Sequence, residues 1–255
     1  GRGRGVGAVP GVAFAAAAVA HGKRSPEIVV RRPYPLGTMA HMASTSTSAP
    51  TVGFDLDMTL IDSRPGIHAC WVELSERTGT YVDADLVVTR LGPPLQEEMA
   101  HWFPADRVPA MSDLYRELYP SYAISGTQAM PGAREAVRAV QAAGGRAIVV
   151  TAKWEPNAKL HMRHLGMEPD AVIGNLWAEG KGAALREHGA SVYVGDHVGD
   201  VRGARIAEAL SVAVPTGPCS AEELAAAGAD VVLGDLTEFP GWFSDYRPDS
   251  VPARA

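Results

Sequence analysis

The chain has 255 residues, of which 46% are hydrophobic and 20% are charged, which is typical of a globular protein with a sizeable core. The formal net charge is −6, but residues 1–41 carry six basic side chains and one acidic one, so the remainder has a net charge near −11. This acidic body disfavours nucleic acid as a partner, because phosphate contacts need clustered Lys and Arg side chains.

The cysteines and the N-terminal residues bear on the cellular compartment in which the protein is expected. Cys70 and Cys219 are far apart and lack the spacing of a metal site, which predicts reduced thiols in a cytoplasmic protein. The longest apolar run near the N-terminus, residues 12–20, is too short to span a bilayer, so no membrane partner is expected. We predict that residues 1–50 form a disordered or non-native extension. A targeting segment is the alternative, since basic residues precede the apolar run.

Strand-like and helix-like segments alternate along most of the remaining chain. Apolar, β-branched runs predict strands at 51–55, 146–151, 171–174, 191–195, 211–214 and 230–233. Helical patterns lie at 131–143, 156–165, 181–188, 199–209 and 220–227. This alternation predicts an α/β fold, a Rossmann-like parallel sheet with helices on both faces. The core would comprise residues 51–63 and 127–243, followed by a flexible tail at 244–255.

Residues 64–126 interrupt this alternation. They contain no convincing strand but several amphipathic helical patterns, which begin after a capping residue, Ser63, and an early proline, Pro65. We therefore predict an inserted α-helical cap that would cover the active site and exclude water. Within it, the proline-containing segment 91–95 either selects the substrate or only connects two helices.

Two aspartates follow the first predicted strand. Asp55 and Asp57 are two residues apart, so on a regular strand their side chains would point to the same face. Like charges so close together repel each other unless a cation or a proton lies between them. The alternative is a strand-to-turn junction with two solvated side chains.

Other polar residues follow later strands. Thr151 ends the predicted strand at 146–151, and Lys181 begins a helix-like stretch. Asp196 and Asp200 come directly after a further predicted strand. Ligands of open parallel sheets bind at the carboxyl ends of the strands, so we expect all of these side chains on one rim.

The order and spacing of these residues resemble the haloacid dehalogenase (HAD) superfamily, and its phosphoglycolate-phosphatase-like members in particular. Four segments resemble the four motifs of that family in order: Asp55-Leu56-Asp57-Met58-Thr59, Thr151, Lys181, and Gly195-Asp196-His197-Val198-Gly199-Asp200. The resemblance covers roughly residues 51–238 and implies a HAD-like core with an α-helical cap. Met58 departs from the family, which usually has glycine there, and this places the geometry of the turn in question.

The resemblance also implies a chemistry, the hydrolysis of a phosphate monoester with Mg²⁺ as cofactor. Asp55 would attack phosphorus and form an aspartyl-phosphate, while Asp57 would act as acid and then as base. The acid role requires a higher proton affinity at Asp57 than at Asp55.

The same resemblance implies a ligand set. Asp55, Asp196 and the backbone carbonyl of Asp57 would bind the metal, and Asp200 would orient a water ligand. Thr151 and Lys181 would hold the phosphoryl oxygens.

A small-molecule phosphate ester is the expected partner, with 2-phosphoglycolate as the leading candidate, and the protein is expected to be a monomer or a homodimer. Arg90 and Gln96 are candidate substrate contacts in the cap. Lys153 either reaches the substrate or forms a surface ion pair, and Trp154 is expected to serve in packing.

Other activities stay open on the sequence alone. A sugar-phosphate mutase of the same fold uses the same four motifs, and pyrophosphate or a nucleotide are further substrates to consider. A non-catalytic phosphate binder is disfavoured because all motifs are intact. A dehalogenase is disfavoured by the acid at Asp57, and a Schiff-base phosphonate hydrolase by the lack of lysine in residues 64–126.

Overall fold

The computed structural model describes residues 49–247. The predicted N-terminal extension lies outside the described residues except for its last two positions, and the predicted tail lies outside them from residue 248 onward. Within the described range, no helix combines the length and the apolar character needed to cross a membrane.

Eighteen elements make up the described chain. In order they are β1 (Thr51–Phe54), β2 (Ile61–Asp62), α1 (Arg64–Thr78), α2 (Ala84–Val88), α3 (Leu95–Met99), α4 (Val108–Tyr122), β3 (Gln128–Ala129), α5 (Ala133–Ala142), β4 (Arg146–Val150), α6 (Glu155–Leu165), β5 (Ala171–Ile173), α7 (Glu179–Glu187), β6 (Ala190–Gly195), α8 (Val198–Ala207), β7 (Leu210–Ala213), α9 (Ala221–Ala227), β8 (Val231–Val232) and α10 (Phe239–Asp245).

Six of the strands form one parallel sheet in the order β5-β4-β1-β6-β7-β8. The chain order reverses at β1, which lies between β4 and β6, so the carboxyl end of β1 faces the crevice where open α/β sheets bind ligands. The predicted α/β fold is confirmed.

The sheet is buried on both faces, as its apolar composition requires. Along β4, Ala147 and Val149 contribute to one apolar cluster, while Ile148 and Val150 contribute to another. Side chains of a strand alternate between faces, so the two clusters lie on opposite sides of the sheet. Helices cover both faces, which explains why the strands are continuous apolar runs rather than alternating ones.

The helices α1 to α4 have an apolar cluster of their own. It is built around Trp71, Leu74 and Tyr119 and is separate from the clusters of the sheet. The segment is entered through β2 and left through β3, which pair antiparallel with Ile61 opposite Ala129. The four helices agree with the α-helical insertion, and its exact boundaries stay a prediction.

Candidate active site

Asp55 and Lys181 form the centre of the site. Asp55 directly follows β1, and its backbone N–H donates to the carbonyl of Val194 in β6, 2.8 Å away. Lys181, on the first turns of α7, places its Nζ 2.8 Å from Asp55 Oδ1 and 2.7 Å from Asp200 Oδ1. Burial alone would lower the pKa of Lys181, but the charges of Asp200 and Asp55 raise it above its ordinary value. The lysine is therefore a fixed cation between two carboxylates.

Asp196 completes a group of three buried carboxylates. One ligand atom from each of Asp55, Asp196 and Asp200 lies within 4.8 Å of the others. Thr59, the last residue of the first motif, donates its hydroxyl to Asp196 Oδ1 at 2.7 Å. Burial, followed by the charges of Asp55 and Asp200, raises the pKa of Asp196 well above its ordinary value. The sequence did not single out Thr59, although its position in the motif is the signal that identifies it.

Asp200 is engaged on both of its oxygens. Besides Lys181, it accepts the backbone N–H of His197 at 3.1 Å, which closes the first turn of α8 as a capping box. The His197 side chain accepts the Gly199 N–H at 3.0 Å, so it is a helix cap. These contacts leave Asp200 suited to support the other carboxylates rather than to bind a metal directly.

These carboxylates fit a divalent cation. Lys181 supplies one positive charge against three acidic side chains, all within a buried volume. Buried carboxylates remain charged only when they are paired or bind a metal, and hard oxygen ligands suit a hard divalent cation. Asp55 and Asp196 each use one carboxylate oxygen in the contacts above, and the second oxygen of each would be the ligand.

Asp57 has a different environment. Its Oδ1 lies 3.0 Å from Lys153 Nζ and accepts a hydrogen bond from the Ser63 hydroxyl. Lys153 thus forms an ion pair, as one of the two alternatives expected, but its side chain is only 8% exposed, so the pair is buried rather than on the surface. Burial would raise the pKa of Asp57, but the Lys153 charge and the Ser63 hydrogen bond together hold it below its ordinary value.

The pKa order of Asp55 and Asp57 differs from the one that the expected acid role of Asp57 requires. Burial raises the pKa of Asp55 to about 7, against the opposing charge of Lys181, while the pKa of Asp57 is lowered. The acid role requires the opposite order. A divalent cation beside Asp55 would lower its pKa by direct charge attraction, which is the physical change that the acid role of Asp57 needs.

Thr151 lies on the same rim. It follows β4, the neighbour of β1, and its side chain is buried. Its backbone N–H donates to Ile173 at 3.0 Å, and its hydroxyl oxygen accepts the backbone N–H of Lys153 at 3.2 Å. The rim thus carries Thr151 with the predicted carboxylates and Lys181, whereas the remaining candidates lie in the cap or beside it.

A buried hydrogen-bonded chain leads from Asp57 to the cap. Lys153 Nζ donates to the hydroxyl of Tyr119 on α4 at 2.7 Å, and this hydroxyl lies 2.9 Å from His161 Nε2 on α6. Burial, followed by the Lys153 charge, lowers the pKa of His161 to about 3. The histidine is therefore neutral at physiological pH. No local sequence pattern identifies such a chain, because its members come from separate elements.

A cavity of about 260 Å³ opens beside Asp57, between the core and the cap helices. Arg90 and Gln96, the predicted cap contacts, both line it, as do Lys153 and the segment 91–96. Arg90 pairs with Glu98, which also accepts the indole N–H of Trp102 at 2.8 Å. The sequence missed several other lining residues: Trp71, Tyr115, Arg116 and Asn157.

Trp154 was expected only to pack, but the structure places it at the cavity. Trp154 lines the cavity and is 38% exposed, so packing does not describe it fully. The proline-containing segment approaches the rim, since a Cβ added to Gly92 would meet the His197 ring at 3.1 Å. This close approach favours a substrate-facing segment over a simple connection between helices.

Similarity to known proteins agrees with this geometry. The family profile described as haloacid dehalogenase-like hydrolase matches residues 52–205, more than half of the chain. A phosphoglycolate phosphatase from Caulobacter vibrioides is 26% identical over 211 residues, covering 74% of this chain and 89% of that protein. A haloacid dehalogenase-like hydrolase from Streptococcus pneumoniae has a similar structure, with a TM-score of 0.68 and 24% identity over 77% of this chain and 99% of the other.

A third relative is named as a kinase rather than a phosphatase or hydrolase. Tyrosine-protein kinase PtkA from Mycobacterium tuberculosis is 30% identical over 127 residues, which cover 49% of this chain and 44% of the kinase. The matched region thus spans less than half of the kinase. The family match and the arrangement of the four motifs on one rim lead to one conclusion: the chain belongs to the haloacid dehalogenase-like hydrolases.

Proposed function

We propose that the protein is a Mg²⁺-dependent phosphatase that hydrolyses a small organic phosphate monoester through an aspartyl-phosphate intermediate. The observation that carries the proposal is that the two aspartates of the first motif lie in different surroundings. Asp55 lies with Asp196 in the carboxylate group next to Lys181, while Asp57 faces the cavity. A HAD-family phosphatase is also what the comparisons support.

The metal would be held by Asp55, Asp196 and the backbone carbonyl of Asp57. Mg²⁺ prefers one or two carboxylates together with substrate oxygens, and when bound it would neutralise charge on the phosphoryl group. Lys181 and Thr151 would stabilise the remaining phosphoryl oxygens.

The residues divide the reaction into two steps. Asp55 attacks phosphorus, the bond to the ester oxygen breaks, and Asp57 gives its proton to the departing alkoxide. Asp57 then takes a proton from water, whose oxygen attacks phosphorus and breaks the bond to Asp55. Inorganic phosphate leaves and both aspartates return to their starting forms.

The Caulobacter relative makes 2-phosphoglycolate the first compound to test. A mutase, a pyrophosphatase or a nucleotidase stay as alternatives. The kinase relative adds phosphoryl transfer to another acceptor as an outcome to check. We further propose a cytoplasmic monomer or homodimer without nucleic-acid or membrane partners.

The test is phosphate release from 2-phosphoglycolate, hexose phosphates, pyrophosphate and nucleoside monophosphates, with Mg²⁺ and with chelator. Wild type should release phosphate only with metal, and Asp55→Asn should lose at least about 10³-fold in kcat, because the nucleophile is removed. Asp106→Asn is the matched control, since Asp106 is exposed and does not line the cavity. Near-normal turnover by folded Asp55→Asn would overturn the mechanism, and transfer without release would favour a mutase or a kinase.

A further inference from the structure

The cavity lies where the leaving group of the substrate would be expected. Asp57 and Lys153 line it, whereas Asp55, Asp196 and Lys181 are absent from its walls in the described part of the chain. Under the proposed function, on which this inference rests, Asp57 protonates the departing oxygen. The part of the substrate beyond that oxygen would then occupy the cavity.

The walls of the cavity are largely apolar and aromatic. Trp71 on α1 and Tyr115 on α4 pack with their ring centroids 5.1 Å apart, and Trp154 contributes a third ring. Such walls gain most from an apolar ring, which they shield from water and contact through favourable ring geometries. Glycolate, with two carbons, would leave much of the 260 Å³ cavity unfilled.

One cation of the cavity wall, Arg116, has a hydrogen-bond donor without an acceptor. Arg116 donates to Asp113 Oδ1 at 2.9 Å, but the Asp113 side chain is 76% exposed, and such exposed pairs are weak. The Arg116 Nε is buried and has no hydrogen-bond partner, and the guanidinium carbon lies 5.9 Å from the Trp154 ring centroid. Because Arg116 lines the cavity, a carboxylate on the ligand would pair with its guanidinium through a charge-assisted hydrogen bond.

The other cations of the wall are less available. The Arg90 Nε is also without a partner, but the Arg90 charge is balanced by Glu98, which lines the same cavity. Lys153 is paired with Asp57. Arg116 is therefore the lining cation whose countercharge is most exposed to solvent.

We propose that the preferred substrate is the phosphate monoester of an alcohol that carries an apolar ring and a carboxylate. The ring would contact Trp71, Tyr115 and Trp154, and the carboxylate would bind Arg116. The compound 2-phosphoglycolate shares the phosphate and the carboxylate of this class but lacks the ring.

Four alkyl phosphates separate the two recognition elements. Ethyl phosphate has neither, 2-phosphoglycolate has the carboxylate, benzyl phosphate has the ring, and 4-carboxybenzyl phosphate has both. The ring and the carboxylate should each raise kcat/KM about tenfold or more, because a charged hydrogen bond or a buried ring contributes that much. Equal or better turnover of 2-phosphoglycolate than of 4-carboxybenzyl phosphate would overturn the inference and leave the phosphatase intact. Absence of release from all four would instead contradict the proposed function.

Binding tests the inference without turnover. Benzylphosphonate and 4-carboxybenzylphosphonate cannot be hydrolysed, and calorimetry on the full chain with Mg²⁺ measures their affinities. The carboxylated compound should bind about tenfold more tightly. Equal affinity would contradict the role of Arg116 even if no substrate were turned over.

A variant pair assigns the effect to one side chain. Arg116→Gln should lower the ratio of kcat/KM for 4-carboxybenzyl over benzyl phosphate about tenfold, and Arg116→Lys should restore part of it. Arg107→Gln is the matched control, because Arg107 is an exposed cap arginine that does not line the cavity. An unchanged ratio in folded Arg116→Gln would refute the assignment.

Discussion

Met58 stands where the resembled motif is expected to have glycine, and its backbone has a conformation that glycine adopts more easily. Its φ is +61°, in the left-handed region that side chains with a Cβ avoid. The turn is nevertheless fixed, since Met58 N–H donates to Ile61 at 2.8 Å and the Thr216 hydroxyl donates to the Met58 carbonyl at 2.6 Å. The side chain is 2% exposed. Its burial therefore offsets the backbone strain.

Replacing Met58 with glycine should destabilise the protein by about 1–3 kcal/mol, because the lost burial exceeds the relieved strain of about 1–2 kcal/mol. Chemical denaturation measures the change in unfolding free energy. Glu208→Gly is the matched control: Glu208 has a φ of +60° but is exposed, so glycine should stabilise by up to about 1 kcal/mol, because the relieved strain of about 1–2 kcal/mol exceeds the added unfolded-state entropy of about 0.4–1 kcal/mol. A stabilised Met58→Gly would mean that strain dominates over burial.

At the scale of the elements, the strands of the core were predicted best. The segments 146–151 and 191–195 correspond to β4 and β6 within one residue at each end. Their β-branched, apolar composition is dictated by burial on two faces, so it is visible in the sequence. Both β2 and β3 were missed because two-residue strands have no periodicity. The helices predicted for the core also did not include α10.

The site was predictable where motifs are local and not where contacts join distant elements. Asp55, Asp57 and Lys181 lie in short segments with recognisable spacing. Tyr119 and Arg116 lie on a cap helix, and nothing in its sequence tells which core side chains it faces. Such contacts depend on how α4 packs on α6, which is a property of tertiary structure.

The Tyr119 hydroxyl joins a cap helix to the core, and its removal tests that link. Tyr119→Phe should lower the unfolding free energy by about 1–3 kcal/mol, since it leaves the buried Lys153 and His161 each without one hydrogen-bond partner. Tyr81→Phe, at a side chain that is 76% exposed, should change it by less than about 0.5 kcal/mol. If the two variants were equally stable, the hydrogen bonds of the Tyr119 hydroxyl would contribute nothing to holding the cap and the core together.

At the scale of the whole molecule, the part of the chain beyond residue 41 has a net negative charge, and its candidate active site also has more acidic than basic side chains. The three carboxylates near Lys181 repel one another in the buried centre of the fold, and two of them have raised pKa values. A carboxyl group whose pKa is higher in the folded state than in the unfolded state binds protons more tightly when folded. Between the two pKa values, stability therefore falls as the pH rises.

This linkage predicts a pH-dependent difference between wild type and Asp55→Asn. The Asp55 pKa is about 7 in the fold against 3.8 as its ordinary value, so in chelator the stability of the variant relative to wild type should increase from pH 5 to pH 7.5. Urea denaturation at several pH values measures this difference. Excess Mg²⁺ should reduce it, because a bound cation stabilises the ionised carboxylate. Parallel stability profiles in chelator would contradict the raised pKa of Asp55.

The antiparallel pair of β2 and β3 has a consequence for how such proteins diversify. The two strands lie side by side, so the chain leaves the core and returns to it at points about 5 Å apart. A two-residue turn can close so short a gap. A change in the length of the helical segment between Asp62 and Gln128 would therefore leave the connections of the sheet as they are. Variation in the helices that line the cavity is thus compatible with an unchanged sheet beneath the carboxylates.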